Sequence, residues 1–488
     1  MNETGRRDFL KGTAWMGATA ALAGCCTEKL GLCGSGTMSG FAAPALKKVR
    51  IGHVGLGMRG PGAVHRMAAI PGVEVAALCD LYKDRVDKQQ KFLKEKGKPA
   101  AREYVGPEAY KALCESDIDL VYVTSPWALH TPIALYAMEH GKHVVIEVPA
   151  AMTIEQCWAL VETSERTRRH CMQLENCCYG EAEMLSLNLV RNGLLGDIIH
   201  AEGAYIHDLR SLNFLDPSKG GYQGYWRLKW NTDHKGNPYP THGLVPVMQA
   251  MNINRGDRFE YLNCIQCDQR CMNEYAAATF GTGSWQAKLG PECGDMSTTV
   301  IRTAKGKSVM VQHNVNTPRP YRRHNIVQGT KGVFTGIAFP DSPEGYVTNG
   351  NPVQFSWEEK PGAGAHGYFN WAKTQELRQK YKHPLWKAAG EFAVKMGGHG
   401  GMDFLMDLRL AYCLQNGLPL DMDVYDLAAS CSVCELSDRS VRDRGNSVDV
   451  PDFTRGAWKD AKPLGIVSVD VSKLGIKSVE KDSSALNV

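Results

Sequence analysis

Residues 49–60 read VRIGHVGLGMRG, and this stretch decides the fold. An apolar run reaches Gly55, and the glycines then recur as GxGxxG at Gly55, Gly57 and Gly60. Val49 to Val54 predicts a buried strand. The segment after it, PGAVHRMAAIPG, carries helical apolar spacing at Val64, Met67, Ala68 and Ile70. In a strand, glycine turn, helix unit the first glycine permits the bend and the second lets a pyrophosphate approach the backbone. The third lets helix and strand pack closely. The phosphates then sit on the helix N-terminus. A second apolar strand, Val73 to Cys79, ends in Asp80, where a carboxylate bonds ribose hydroxyls and repels a 2′-phosphate. Against a plain surface turn, this context favours a dinucleotide, and NAD over NADP.

Working outward, helix and strand keep alternating to residue 176. A charged helix is expected near 82–96, a shorter one near 107–116, a strand ending at Thr124, and a helix after a loop holding Trp127 and His130. A strand ending at Glu147, a helix at 153–169 and a strand ending near Asn176 follow. That order implies a doubly wound parallel sheet with ligands at the strand C-termini, where Trp127, His130, Glu147 and Asn176 fall. From residue 177 the pattern changes. A helix leads into the strand IIHAEGAYIHD, a long polar and aromatic-rich segment spans 208–256, and several β-rich runs follow, with helices expected near 399–416 and 422–437. The fold class is α/β: a Rossmann doubly wound parallel sheet plus an α+β domain with a large open, mainly antiparallel sheet. The expected divisions are a signal at 1–25, a tether at 26–48, the NAD-binding domain at 49–176, a substrate domain at 177–440 and a C-terminal tail at 441–488.

At 488 residues the chain is long enough for two or three domains. Its 56 basic and 52 acidic residues are interspersed, giving a net charge of +4 with no basic stripe, so nucleic acid is not expected as a partner. Sixteen cysteines are dispersed, mostly in apolar patterns, which reads as buried free thiols. The clusters Cys264, Cys267, Cys271 and Cys431, Cys434 lack the paired spacing of a zinc site, so no metal is expected. The N-terminus, TGRRDFLKGTAWMGATAALAGCC, resembles a twin-arginine export signal, with Arg6 and Arg7 before a small-residue apolar run too short to span a membrane. Leu22 to Cys25 resembles a lipobox, which makes Cys25 a candidate lipid anchor and the protein exported, either periplasmic or a membrane-anchored lipoprotein. A homo-oligomer is left open. Outside the cytoplasm free NAD is scarce, so an exported enzyme is best served by a nucleotide that stays bound and returns to its starting redox state in every turnover.

The glycine motif, the segment Glu147-Val148-Pro149 and the open-sheet domain resemble the glucose-fructose oxidoreductase and inositol dehydrogenase superfamily. Its ordinary dehydrogenases carry a lysine where this chain has Val148, which argues against simple alcohol oxidation. Several separate stretches, GLGMRGPGAVHRMA, SPWALHTP, EVPAAMT, LENCCYGEAEM, GYWRLKWNTDHKGNPYPTHGLVPV and GHGGMDFLMDLRL, resemble glycoside hydrolase family 109, the NAD-dependent α-N-acetylgalactosaminidases. The likeness covers almost all of 49–455. It implies NAD contacts at Met58, Arg59, Asp80, Trp127, Ala128, Leu129, His130, Glu147, Val148 and Asn176, beside the glycine turn. It implies substrate contacts at Tyr205, Arg227, Tyr239, Pro240, Thr241, His242 and Tyr321.

The resemblance also implies a mechanism. NAD oxidises the sugar's 3-hydroxyl, the ketone acidifies the carbon 2 proton, the aglycone leaves carbon 1, water adds, and the hydride returns. This path needs no carboxylate pair of the usual glycosidase kind. His242 suits the 3-hydroxyl proton, since an imidazole titrates at about 6.5. Tyr205 and Tyr179 are candidates for the carbon 2 base, each needing its phenol, ordinarily about 10, lowered by neighbours such as Arg227. His399 in GHGGMD reads as a substrate-side or structural residue. The expected partner is terminal N-acetylgalactosamine of glycans; the alternative is an exported sugar oxidoreductase with tightly bound NAD(P).

Overall fold

The computed structural model describes residues 36–336, 353–360, 362, 364 and 367–474. The export signal, Cys25 and the first part of the expected tether lie outside them. Among the described residues no helix is long and apolar enough to cross a membrane.

Six strands form the first sheet: β1 (Val49–Val54), β2 (Val73–Asp80), β3 (Arg102–Val105), β4 (Leu120–Val123), β5 (His143–Ile146) and β6 (Cys171–Gln173). All pair in parallel, in the order β3-β2-β1-β4-β5-β6. Strands β4 and β5 are buried at every position, which is why they read as continuous apolar runs rather than alternating ones. The strand order reverses between β1 and β4, so the crevice that binds ligands in such sheets opens beside the glycine turn. Helix α1 (Gly60–Ala69) leaves that turn, α2 (Trp127–Glu139) follows β4, and α3 (Ile154–Thr167) follows β5.

The second sheet is eight-stranded and mainly antiparallel: β7 (Ile198–Ile206), β8 (Phe259–Gln266), β9 (Ser297–Thr303), β10 (Ser308–Asn314), β11 (Arg322–Gly329), β12 (Gly332–Thr335), β13 (Gln354–Trp357) and β14 (Val448–Asp449). Its order is β13-β12-β11-β7-β10-β9-β8-β14, with the single parallel pair β7–β10 at its centre. Helix α4 (Thr241–Met251) lies on β7 at backbone contact: a Cβ on Gly243 would stand 2.1 Å from the Ala204 nitrogen, and one on Gly203 2.1 Å from the Gly243 carbonyl oxygen. The sequence pattern left this segment as irregular. Every residue of α4 except His242 is buried, so no polar face exists to mark a helical period.

Helices α5 (Pro384–Met396), α6 (Met402–Asn416) and α7 (Val424–Arg442) complete the body; α6 and α7 lie close to the expected spans, and α5 was not expected. Helix α7 starts on a reciprocal capping box between Asp423 and Asp426. From α6, Asp407 accepts from Arg66 at 2.7 Å and from the Tyr122 hydroxyl at 2.9 Å, tying the C-terminal half to the Rossmann core.

One expectation about the chain ends needs correction. Residues 36–48 are not a loose tether: the Met38 amide donates to the Tyr425 hydroxyl at 3.0 Å, the Leu46 amide to the Leu414 carbonyl at 2.9 Å, and Arg168 covers the Phe41 ring. The tail is likewise held down over its described part. Strand β14 pairs with β8, and Arg191 and Arg409 each donate at 2.6 Å to carbonyls of Leu464 and Ser468.

Candidate active site

A cavity of about 330 Å³ opens at the carboxyl ends of β1, β4 and β5 and is closed on the far side by β7 and the segment before α4. One end is built from the glycine turn. Gly55 has φ +93°, and a Cβ there would stand 2.7 Å from the Ser125 nitrogen; a Cβ on Gly60 would stand 2.1 Å from the Gly55 carbonyl oxygen. Both are therefore packing glycines. A Cβ on Gly57 meets only Arg85, at 3.6 Å, so this backbone is open to the cavity, as a cradle for a diphosphate has to be. Asp80 ends β2 with its carboxylate accepting from the Leu56 amide at 2.6 Å and the Tyr82 amide at 3.0 Å, which braces the turn and keeps lone pairs for a ribose diol. The residues fit a dinucleotide.

Deeper in, Arg59 crosses the cavity wall. Its Nε donates to Glu147 at 3.0 Å and its Nη1 to Asp403 at 3.2 Å. Asp403 also accepts from the Asn176 amide and is wholly buried; burial works against its charge, but His399, Arg59 and Arg66 together hold its carboxyl well below the usual range. His130 is buried with Nδ1 2.8 Å from the Pro149 carbonyl oxygen and Nε2 2.7 Å from that of Ser125, clamping the loop of β4 to that of β5.

The opposite wall is aromatic. Trp127, Val148, Tyr205 and Tyr239 pack as one cluster, with Tyr205 and Tyr239 ring centroids 4.5 Å apart. Val148 thus belongs to an apolar wall in which an ammonium would be desolvated. Arg227 is buried among these rings, 4.8 Å from the Tyr239 centroid and 5.2 Å from that of Trp127. Its Nη1 donates to the Tyr222 hydroxyl at 3.1 Å, while its buried Nη2 has no partner among the described residues. His242, at the start of α4, places Nδ1 2.7 Å from Glu175, a carboxylate without solvent exposure. Burial pushes that carboxyl up, but His242 and the bond from the Cys177 amide outweigh it, so it lies below its ordinary value.

The comparisons with known proteins agree with this geometry. Residues 49–174 match the oxidoreductase family with an NAD-binding Rossmann fold, and residues 179–460 match the C-terminal domain of glycosyl hydrolase 109. The chain belongs to glycosyl hydrolase family 109. An α-N-acetylgalactosaminidase of Bacteroides fragilis is 48% identical over 421 residues, 86% of this chain and 95% of that protein. A family 109 protein of Shewanella amazonensis is 45% identical over 470 residues, 95% of this chain and 99% of that one. Among solved structures, levoglucosan dehydrogenase in complex with NADH shares the fold at 17% identity and a TM-score of 0.60, covering 83% of this chain and 99% of that one. The aldose-aldose oxidoreductase of Caulobacter crescentus does so at 16% identity and a TM-score of 0.57, covering 83% and 100%. This family 109 chain is therefore an NAD-dependent glycoside hydrolase.

Within the family 109 cavity, most residues singled out in the sequence meet: Gly55, Gly57, Met58, Arg59, Asp80, Trp127, His130, Glu147, Val148, Asn176, Tyr205, Arg227, Tyr239 and His242 all line it. Ala128 and Leu129 lie in the same turn of α2 but face away from it, and Pro240 and Thr241 shape the start of α4 without lining the cavity. Tyr321 sits at the rim, edge-on to His207 and Tyr205. Tyr179 is a correction. Its hydroxyl donates to Asp421 at 3.0 Å in the core beneath the cavity, where Arg409 also binds that carboxylate, and burial raises the phenol far above its ordinary value. It cannot reach a sugar. The sequence reading missed Glu175, His207 and Asp403, because a buried carboxylate or a half-buried imidazole within an apolar run has no local signature. Glu175, Cys177 and His242 bring three ligand-type atoms together, but Glu175 already uses the His242 Nδ1, and burial raises the Cys177 thiol far above its ordinary value. The described cysteines are free thiols.

Proposed function

We propose that the protein hydrolyses terminal α-N-acetylgalactosamine of glycans by oxidation at carbon 3, elimination, water addition and re-reduction, with retention. One observation carries this reading: an imidazole oriented by a buried carboxylate shares a single cavity with the dinucleotide cradle and with a buried guanidinium nitrogen that still lacks an acceptor. Bound NAD would supply the hydride acceptor for carbon 3 and the hydride donor that closes the cycle. His242 takes the 3-hydroxyl proton at its Nε2, while Glu175 holds Nδ1–H and stabilises the imidazolium that forms. The unpartnered Arg227 Nη2 suits a carbonyl or hydroxyl oxygen of the sugar, such as that of the acetamido group.

The carbon 2 proton falls to Tyr205. Burial raises both the Tyr205 and the Tyr239 phenol, and the Arg227 guanidinium pulls each back. Three phenols line the cavity, Tyr205, Tyr222 and Tyr239; Tyr222 already accepts from Arg227, and Tyr205 stands beside both the Arg227 guanidinium and the His242 ring. The carboxylates lining the cavity are Asp80 and Glu147, and Arg59 holds Glu147, so direct displacement by a carboxylate pair has no support here.

The test is release of p-nitrophenol from its α-N-acetylgalactosaminide without added cofactor in D₂O. Deuterium is expected at carbon 2. Tyr205→Phe is expected to keep a transient nicotinamide reduction on adding substrate and to lose the exchange, whereas His242→Gln is expected to lose both. Product free of deuterium would refute the mechanism, and a stable nicotinamide absorbance change with free sugar would favour an oxidoreductase. The same reading has the chain exported by its twin-arginine segment and anchored at Cys25. Arg6, Arg7 and the run Leu22 to Cys25 support it, and fractionating cells that express Cys25→Ala beside the unaltered chain tests it.

A further inference from the structure

Five consecutive residues between α5 and α6 have positive φ: Gly397 (80°), Gly398 (81°), His399 (46°), Gly400 (72°) and Gly401 (100°). The loop is wound tightly on its own helices, since a Cβ on Gly401 would stand 2.8 Å from the Ala393 carbonyl carbon and one on Gly398 would stand 2.6 Å from the Asp403 Cβ. Four of the five residues have no side chain. The fifth, His399, holds a left-handed conformation that is strained for a residue with a side chain. Its imidazole is over half exposed and lines the cavity beside Gly57, Met58 and Arg59. Nδ1 lies 3.0 Å from Asp403 and 3.3 Å from the Arg59 Nη1, and Nε2 has no partner among the described residues.

We propose that His399 is a clasp on the bound dinucleotide, its Nε2 donating to the diphosphate that rests on the glycine turn. The neighbouring chain shows why this residue is suited. Asp403, from the first turn of α6, fixes the ring through Nδ1, while Arg59, from the start of α1, faces the same ring edge and is itself answered by Glu147 and Asp403. The α1 N-terminus and Gly57 hold the diphosphate from the Rossmann side. His399 arrives from the other half of the chain, so release of the dinucleotide requires this loop to yield. A redox-neutral cycle profits from such retention, but the clasp rests on NAD binding alone and not on the proposed sugar chemistry.

The experiment follows release of NAD from the full-length holoenzyme on dilution into an NAD-consuming scavenger, without glycan. His399→Gly removes the ring and relieves the backbone, and His399→Asn tolerates the left-handed conformation. Both variants are expected to keep their melting temperature within a few degrees and to release NAD at least about tenfold faster. ADP-ribose, which keeps the diphosphate and lacks nicotinamide, should lose affinity for the His399→Gly variant to a similar extent. Release within twofold of the unaltered protein overturns the proposal, as does weakened NAD with undiminished ADP-ribose binding, which would assign His399 to the nicotinamide instead.

Discussion

Glu175 and His242 are 67 residues apart in sequence, and the carboxylate of the first accepts from Nδ1 of the second at 2.7 Å in a site where Glu175 has no exposure to solvent. The bond fixes the ring and leaves Nε2 toward the cavity. Replacing Glu175 by Gln keeps the shape and removes the charge that stabilises the imidazolium. The kcat on an aryl α-N-acetylgalactosaminide is expected to fall by about 10² to 10⁴, with KM changed by less than about threefold. Steady-state kinetics of Glu175→Gln beside His242→Gln check this, and an unchanged kcat would remove Glu175 from the mechanism.

Tyr179→Phe separates a structural phenol from a catalytic one. Its hydroxyl bonds a carboxylate already held by Arg409 and lies away from the sugar. Stability is expected to drop by about 1–2 kcal/mol in a urea titration, with kcat retained within about twofold.

Gly243→Ala tests the seat of α4. The new methyl would meet the Ala204 nitrogen at 2.1 Å and the Gly203 carbonyl carbon at 2.7 Å, and rigid backbone on both sides leaves no cheap escape. A loss of about 1–3 kcal/mol is expected, together with a marked fall in kcat, because the preceding residue is His242. Normal activity at lowered stability would mean that the imidazole is positioned by Glu175 alone.

The buried histidines set an acid limit. Burial lowers His53, His170 and His313 to about 3 and His143 and His383 to about 4. In the unfolded chain each takes up a proton near pH 6.5, which the native state refuses until far lower pH. Their folded values are depressed, so their contribution is present in full above 6.5 and is lost as pH falls from there toward 3–4. Each adds up to about 1.4 kcal/mol per pH unit to the slope. Urea midpoints at pH 7.5 and 5.5 should show a steep loss. His53 is the clearest member, since neither ring nitrogen has a partner among the described residues; His53→Leu is expected to hold or gain stability at pH 7 and to give a shallower slope by one proton.

The Rossmann half was legible because its signals are local. A glycine turn between a buried strand and a helix, and Asp80 at the next strand end, depend on neighbours in sequence. The cavity's far wall was legible only in part. Tyr205, Arg227 and Tyr239 were found through resemblance, while α4 escaped because burial on every side erases periodicity. Tyr179 was misplaced for a related reason: it lies three residues past Asn176, a cavity residue, yet the short 3-10 helix Asn176–Tyr179 turns its ring down toward Asp421.

The sequence alone determined the order of strands and helices in the Rossmann half, the glycine cradle, the choice of Asp80 and the absence of a lysine at Val148, since each is a property of residue type or of spacing along the chain. The tertiary structure decided which carboxylate orients His242, which tyrosine reaches the cavity, and that His399 from the loop before α6 stands over the glycine turn. Those partners lie 67, 242 and about 340 residues apart, in the pairs Glu175–His242, Tyr179–Asp421 and His399–Arg59. A buried charge is tolerable only beside a counter-charge or a donor, and which distant residue supplies it is set by how the two sheets and α6 pack together.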